Sequence, residues 1–129
     1  MAAFVLDVSA CMPWCCEDEA TATSEELLRR AARRDTLHVP CLWPWEMMNA
    51  AAVSVRRQRI TAEQASLFSE QLAAFDFRIA PAPSVAEFAR LALLAVRHQL
   101  TAYDTAYLDL AQRLGCRWQR STMISKGPH

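Results

Sequence analysis

The chain has 129 residues, of which 53% are hydrophobic and 22% are charged, with 14 basic and 14 acidic side chains. This balance predicts a single soluble globular domain and excludes disordered and fibrous proteins. Every acidic residue precedes Arg117, so residues 1–116 carry a net charge of −3, which argues against a broad basic surface for nucleic acid. With only two glycines, the chain cannot form the glycine-rich phosphate loops of nucleotide-binding proteins.

Local patterns predict three strands separated by helices. An apolar run that stops at an acid predicts a buried strand with Asp7 at its carboxyl end. Pairs with the spacing of a helix N-terminal cap are Thr23 with Glu26, Thr61 with Gln64, Ser84 with Glu87, and Thr101 with Asp104. The predicted elements, in chain order, are a strand over 3–7, a helix over 23–34, a strand over 36–39, helices over 43–59 and 61–75, a strand over 77–80, a helix over 84–100 and a last helix from 101.

The order of these elements predicts the fold class. Successive strands are separated by helices long enough for parallel crossovers, so we expect an α/β fold with a small parallel sheet. No apolar run is long enough for a membrane span, and the N-terminus lacks the pattern of a secretory signal. The five cysteines are odd in number and irregularly spaced, which favours a cytoplasmic protein with free thiols over a disulfide framework or a zinc site.

Three acids occupy places where parallel sheets bind ligands. Asp7 ends the first strand, Glu46 lies in the first turn of the helix after the second strand, and Asp104 lies in the first turn of the last helix. Because strand ends and the starts of the following helices converge at one edge of such a sheet, these carboxylates could meet there. Oxygen ligands without Cys or His suit Mg²⁺ or Mn²⁺, and such a cation activates water against a phosphodiester, which is nuclease chemistry.

The same acids also have structural explanations. Acids in a first helical turn are favoured by the helix dipole and by capping, so Glu46 and Asp104 alone do not indicate a site. Asp7 is different, because a carboxylate directly after Phe-Val-Leu lies beside the core, where an unpaired one is costly. A different acidic metal hydrolase, such as a phosphatase, stays open as an alternative. The three histidines suggest no triad with a serine or cysteine.

Three segments of the chain resemble the PIN-domain ribonucleases, and most closely the VapC-type toxins of toxin–antitoxin systems. The segments are Phe4-Val-Leu-Asp-Val-Ser-Ala10, Glu46-Met-Met-Asn49 and Thr101-Ala-Tyr-Asp-Thr-Ala-Tyr-Leu-Asp-Leu-Ala111. In order and spacing they cover about residues 3–116. The resemblance implies a parallel sheet between helices, a homodimer, and an Mg²⁺-dependent endoribonuclease that a cognate antitoxin neutralises.

The resemblance also implies roles for individual residues. The catalytic, metal-coordinating acids would be Asp7, Glu46 and Asp104. Supporting roles would belong to Ser9 and Asn49 near the site and to Thr101 as the cap of the last helix. Asp109 is not expected to be a ligand, because five residues along a helix turn it away from Asp104.

The resemblance ends at Cys116. Family members usually continue with a short strand, Pro-Leu-Ala-Thr-Leu-Asp, whose Asp is a fourth acid, whereas this chain continues Arg117-Trp-Gln-Arg-Ser-Thr-Met-Ile124. We therefore divide the chain into a PIN-like domain, residues 1–116, and an aberrant tail, residues 117–129. One choice of codons for the tail restores the family ending when the frame is shifted by a single base, so we hypothesise a frameshift, which the gene sequence would test.

The altered tail has two expected consequences. The polar residues Arg117, Gln119, Arg120 and Ser121 replace part of a buried apolar strand, so we expect the sheet edge to be weakened or lost. The site also loses a negative charge, and either arginine would bring the opposite one, so we expect weaker Mg²⁺ binding and impaired catalysis. The alternative function is that of a catalytically inactive PIN-like remnant, which only binds antitoxin or another copy of itself.

Two further patterns concern partners. Large apolar residues on two consecutive predicted helices are Trp43, Trp45, Met47, Met48 and Phe68. They form either a groove for an antitoxin segment or part of the core, and the sequence leaves both open. The cations Arg56, Arg57 and Arg59 could contact RNA phosphates, although cations at a helix C-terminus are common because the dipole favours them.

Overall fold

The structure, a computed structural model, describes residues 2–120. The strands are β1 (Ala3–Leu6), β2 (Thr36–Val39), β3 (Asp76–Ile79) and β4 (Trp118–Gln119). The helices are α1 (Val8–Cys11), α2 (Ala22–Ala32), α3 (Trp43–Arg56), α4 (Ala62–Ala73), α5 (Phe88–His98) and α6 (Ala102–Leu114). Short 3₁₀ turns cover Met12–Trp14, Glu17–Glu19 and Val85–Glu87.

The four strands form one parallel sheet with the order β3-β2-β1-β4. Phe4 of β1 lies opposite Leu37 of β2, and Val5 lies opposite Trp118 of β4. All three side chains of Phe4-Val-Leu are completely buried, as expected for a central parallel strand covered by helices. The α/β class predicted from the order of elements is confirmed, with β1 at the centre and Asp7 directly after it.

Two of the predicted helix starts are wrong. The cap of α2 is Thr21, whose hydroxyl accepts from the Ser24 amide at 3.0 Å while the Ser24 hydroxyl accepts from the Thr21 amide, so the capping box lies two residues before Thr23. Ser84 makes no side-chain cap, because the chain there first forms a 3₁₀ turn and α5 begins only at Phe88. The cap predicted at Thr61 with Gln64 is present as a reciprocal capping box.

The chain between Asp7 and α2 contains elements that the sequence pattern did not predict. The helix α1 has only four residues and is followed by the two 3₁₀ turns of Met12–Trp14 and Glu17–Glu19. None of these is long enough to show a helical hydrophobic period, which explains why the pattern missed them. The short helix α1 helps to position Asp7, because Asp7 is its N-cap.

The sheet edge was predicted to be weakened or lost; the fourth strand is present, so the edge is not lost, although the strand has only two residues. In β4, Trp118 and Gln119 pair in parallel with Val5 and Leu6 of β1, and the Asp7 amide donates to the Gln119 carbonyl at 2.9 Å. The flanking Arg117 and Arg120 are exposed, so the edge position spares both charges from burial. Ser121 and the rest of the tail lie outside the described residues.

Helix α5 differs from the other long helices because it contributes no buried residue. It packs against α6 and the preceding turn, and its apolar residues Phe88, Leu93 and Val96 are 74%, 58% and 74% exposed. Such a patch on a small protein is typical of a surface that a partner covers.

All five cysteines are free thiols in the described part of the chain. None of the helices found between residues 2 and 120 has the length and hydrophobicity needed to traverse a lipid bilayer.

Candidate active site

The carboxylate of Asp7 is buried at the carboxyl end of β1. The residue is 6% exposed and caps α1, its Oδ1 accepting from the Ser9 amide at 2.9 Å. Its Oδ2 accepts from the indole N–H of Trp118 in β4 at 3.2 Å. Both of these donors are neutral, so they hold the carboxylate in place without compensating a negative charge.

The second predicted acid, Glu46, lies in the first turn of α3 as expected. Its Oε1 accepts from the Tyr107 hydroxyl of α6 at 2.5 Å. Burial, this hydrogen bond and the charges of Glu46 and Asp7 raise the pKa of Tyr107 far above its usual value. Tyr107 therefore stays protonated and donates this hydrogen bond to Glu46.

Tyr107 and Trp118 connect the two acids. Their rings are stacked, with centroids 5.7 Å apart and an angle of 4° between the planes. One ring donates to Glu46 and the other to Asp7. The guanidinium of Arg120 lies over the Trp118 ring, 4.1 Å from its centroid. The carboxyl edge of the sheet thus carries two acids bridged by a stacked aromatic pair.

The third predicted acid, Asp104, lies one helical turn before Tyr107 on α6. The Thr101 hydroxyl accepts from the Asp104 amide at 3.1 Å, so Thr101 caps this helix, as the resemblance implies. Residues three apart share a helix face, so Asp104 is on the side of α6 that carries Tyr107. Within residues 2–120, however, no three His, Cys, Asp or Glu side chains are grouped closely enough to hold one metal ion.

The supporting polar residues occupy different environments. Ser9 lies in α1 and contacts the site through its backbone amide, which donates to Asp7. Asn49 is exposed on α3, three residues and about one turn beyond Glu46. Their roles as supporting side chains stay a prediction.

Asp109 is turned away from these acids. It is 7% exposed and forms ion pairs with Arg90 of α5 at 2.9 Å and with Arg113 of α6 at 3.0 Å. Burial opposes its ionisation, but the hydrogen bond from Arg90 and the charges of both arginines lower the pKa of Asp109 overall. This carboxylate joins α5 to α6.

Sequence reasoning missed Tyr107 and Trp118 as members of the site. Tyr107 carried a detectable signal, because it follows Asp104 by three residues and so shares its helix face. Trp118 carried none, since it lies outside the three segments on which the resemblance in the sequence rests.

The apolar residues of α3 and α4 divide into two groups. Trp43, Met47 and Phe68 are each 6% exposed and belong to the core, whereas Trp45 and Met48 are 73% and 59% exposed. The first three residues therefore belong to the core, whereas Trp45 and Met48 stay candidates for a partner surface.

Of the arginines in and directly after the last turn of α3, Arg59 pairs with Asp18 and Glu19.

Comparison with known proteins identifies the family. A model of the PIN domain family matches residues 4–118. Ribonuclease VapC3 of Pyrobaculum aerophilum is 33% identical to this chain over 93 residues, which are 71% of this chain and 70% of that protein. The crystal structure of PAE2754 from Pyrobaculum aerophilum matches with a TM-score of 0.63 and 22% identity, over 89% of this chain and 71% of that one, and supports the fold. The chain therefore belongs to the PIN domain family, as a VapC-type member.

Proposed function

We propose that this chain is a metal-dependent endoribonuclease toxin that hydrolyses RNA phosphodiester bonds. The family match and the similarity to a protein named Ribonuclease VapC3 support a nuclease in general. The observation that carries the proposal is the buried carboxylate of Asp7, which meets neutral donors at the carboxyl end of a central parallel strand. Open α/β sheets bind their ligands at this edge.

The chemistry of the acids fits a hard divalent cation. Asp7, Glu46 and Asp104 offer carboxylate oxygens, which Mg²⁺ or Mn²⁺ prefers. A bound cation of this kind lowers the pKa of a water molecule and stabilises charge on the phosphodiester. The protein's own contribution is to orient the carboxylates, through the Ser9 amide at Asp7, the Tyr107 hydroxyl at Glu46 and the Thr101 cap before Asp104.

The proposed activity is tested with purified protein and RNA. We expect cleavage in Mg²⁺, none in excess chelator, and a loss of at least about 100-fold in Glu46→Gln, because that variant removes a charge from the cation site. The matched control is Glu63→Gln, an exposed first-turn acid of α4. Cleavage that persists in chelator, or a Glu46→Gln variant as active as the control, would refute the proposal.

We further propose that the altered tail impairs catalysis. In the structure the last strand brings an indole N–H to Asp7 rather than a further acid, which supports this part of the proposal. A chain in which Pro-Leu-Ala-Thr-Leu-Asp follows Cys116 should bind Mg²⁺ more tightly and cleave RNA at least about tenfold faster. Equal rates for the two chains would remove the link between the tail and activity.

A second candidate function is that of an inactive remnant that binds partners. It is favoured by the lack of a three-acid group within the described residues and by the contact of Trp118 with Asp7. The exposed apolar side chains of α3 and α5 support partner surfaces for a cognate antitoxin and for a homodimer. Binding of an antitoxin without RNA cleavage at any Mg²⁺ or Mn²⁺ concentration would favour this function.

A cytoplasmic location stays a prediction from cysteine usage.

A further inference from the structure

The indole of Trp118 covers the carboxylate of Asp7. The two hydrogen bonds from the Ser9 amide and Trp118 Nε1 use two of about four lone-pair positions that a carboxylate offers. Little of the residue is open to solvent, because Asp7 is 6% exposed. A cation that takes the position of the indole N–H on Oδ2 therefore binds there only after Trp118 has moved aside.

Of the two groups that donate to Asp7, Trp118 is expected to move at the lower cost. β1 is central and completely buried, and the Ser9 amide belongs to the helix turn that Asp7 caps. Trp118, in contrast, is half-buried in an edge strand of two residues. Short edge elements with few buried contacts open locally at a small fraction of the free energy of global unfolding.

Side-chain contacts give the indole a defined closed position. It stacks on Tyr107, which is 1% exposed and is fixed at its other end by the hydrogen bond to Glu46. Arg120 lies over the same ring. These contacts hold the indole N–H against Asp7 although the backbone of β4 is short.

We propose that Trp118 is a cover on Asp7 that sets the affinity for the divalent cation. The cation binds after the indole N–H has left Oδ2, and no proton or covalent bond is exchanged in this step. The free energy needed to break the hydrogen bond between Trp118 and Asp7 reduces the favourable free energy of cation binding. This inference rests on the cation site of the proposed function and deepens it.

The unmodified protein provides the first test. The four indole N–H groups are resolved by nuclear magnetic resonance on ¹⁵N-labelled protein, and the Trp118 signal is assigned in the unmodified protein through the other resonances of the same residue. We expect Mg²⁺ to shift the Trp118 signal and to speed its hydrogen exchange, while the Trp14 signal stays unchanged. A Trp118 signal that does not move while Mg²⁺ saturates the Asp7 site would overturn the proposal.

Variants provide the second test, with free Mn²⁺ measured by electron paramagnetic resonance. Trp118→Phe keeps a ring on Tyr107 but removes the N–H, so we expect Mn²⁺ to bind about threefold to tenfold tighter. The matched control is Trp14→Phe, which loses an indole hydrogen bond of 2.9 Å to the Ser24 carbonyl rather than to a carboxylate of the site. Its affinity should equal that of the unchanged protein.

The gain must depend on Asp7. Adding Asp7→Asn to Trp118→Phe should abolish the tighter binding of Mn²⁺. Tighter binding that survives this change would contradict the proposal. Mn²⁺ binding no tighter in Trp118→Phe than in the unchanged chain would contradict it as well. Circular dichroism checks that each variant is folded, and the resonance experiment decides the matter if one is not. Both tests are done without RNA, so failure of the proposed nuclease function would appear separately, as absent cleavage alongside intact cation binding.

Discussion

Two buried aspartates, Asp7 and Asp109, show how differently one side chain is used in this molecule. They are 6% and 7% exposed. Asp109 meets the guanidinium groups of Arg90 and Arg113, whereas the hydrogen-bond donors at Asp7 are a backbone amide and an indole, with no ion pair to Asp7 found in the described chain. The charge of Asp109 is compensated from within the protein. The carboxylate of Asp7 is held in place by neutral donors, which do not compensate its charge. This arrangement is expected for a site that takes a cation from solution.

The largest expected effect separates activity from stability at Asp7. Asp7→Asn keeps an oxygen acceptor but removes the negative charge, so RNA cleavage should fall by at least about 100-fold while the unfolding midpoint changes little. Cleavage assays and thermal unfolding of the same preparation measure both quantities. Asp109→Asn is the matched variant and should keep its activity. Comparable activity losses in the two would abolish the distinction between the two aspartates.

A reciprocal effect on stability is expected at Asp109. Asp109→Ala removes the acceptor of two arginines that join α5 to α6, so the free energy of unfolding should fall by about 2 kcal/mol. Asp18→Ala, which breaks an exposed pair with Arg59, should cost less than about 1 kcal/mol. Urea denaturation compares them. Equal losses for both variants would show that burial adds nothing to the Asp109 contacts.

A smaller effect is expected at Tyr107, which lies between the two acids. Tyr107→Phe removes the hydroxyl that donates to Glu46 but keeps the buried ring, so stability should fall by about 1 kcal/mol. Tyr103→Phe, on the same helix and 64% exposed, should leave stability unchanged. Urea unfolding of the pair measures the difference, and a Tyr107→Phe variant as stable as Tyr103→Phe would mean that the hydroxyl contact contributes nothing.

The smallest effect concerns His38 of β2. Burial and the nearby Arg78 lower the pKa of His38 below its usual value, while Asp76 acts in the opposite direction. The folded state therefore resists protonation of this side chain, so stability should be highest above about pH 6.5 and should decline below it. His38→Gln should flatten the profile of the unfolding midpoint between pH 5 and 7.5, whereas His98→Gln, at the exposed end of α5, should not. A profile that keeps its slope in His38→Gln would assign the decline to other groups.

The sequence predicted the parts of the fold that depend on long, regular patterns. The strands at β1 and β2 and the helix cap at Thr61 followed from an apolar run, a β-branched segment and a capping pair. The cap of α2 was misplaced because Thr21 and Thr23 are both suitable N-caps, and only the structure shows that Ser24, rather than Glu26, completes the box.

The candidate site was predictable only in part, for a different reason. Asp7 and Glu46 stand beside predicted strands, so topology alone suggested that they lie at one edge. The stacked pair between them joins Tyr107 to Trp118, a residue far along the chain in the last strand, and no local pattern encodes such a contact. The same holds for the ion pair of Asp109 with Arg90, since nothing in the spacing indicated that α5 and α6 meet through it.

The most direct test of the account is to locate the cation itself. Crystals of the protein grown with Mn²⁺ would show the ion by its anomalous scattering. We expect a peak about 2.1–2.4 Å from a carboxylate oxygen of Asp7, with Glu46 or Asp104 as a second ligand and the Trp118 indole displaced from Asp7. A peak on other acids, such as Asp18 and Glu19, with the Asp7 carboxylate still bound to Trp118, would contradict the account.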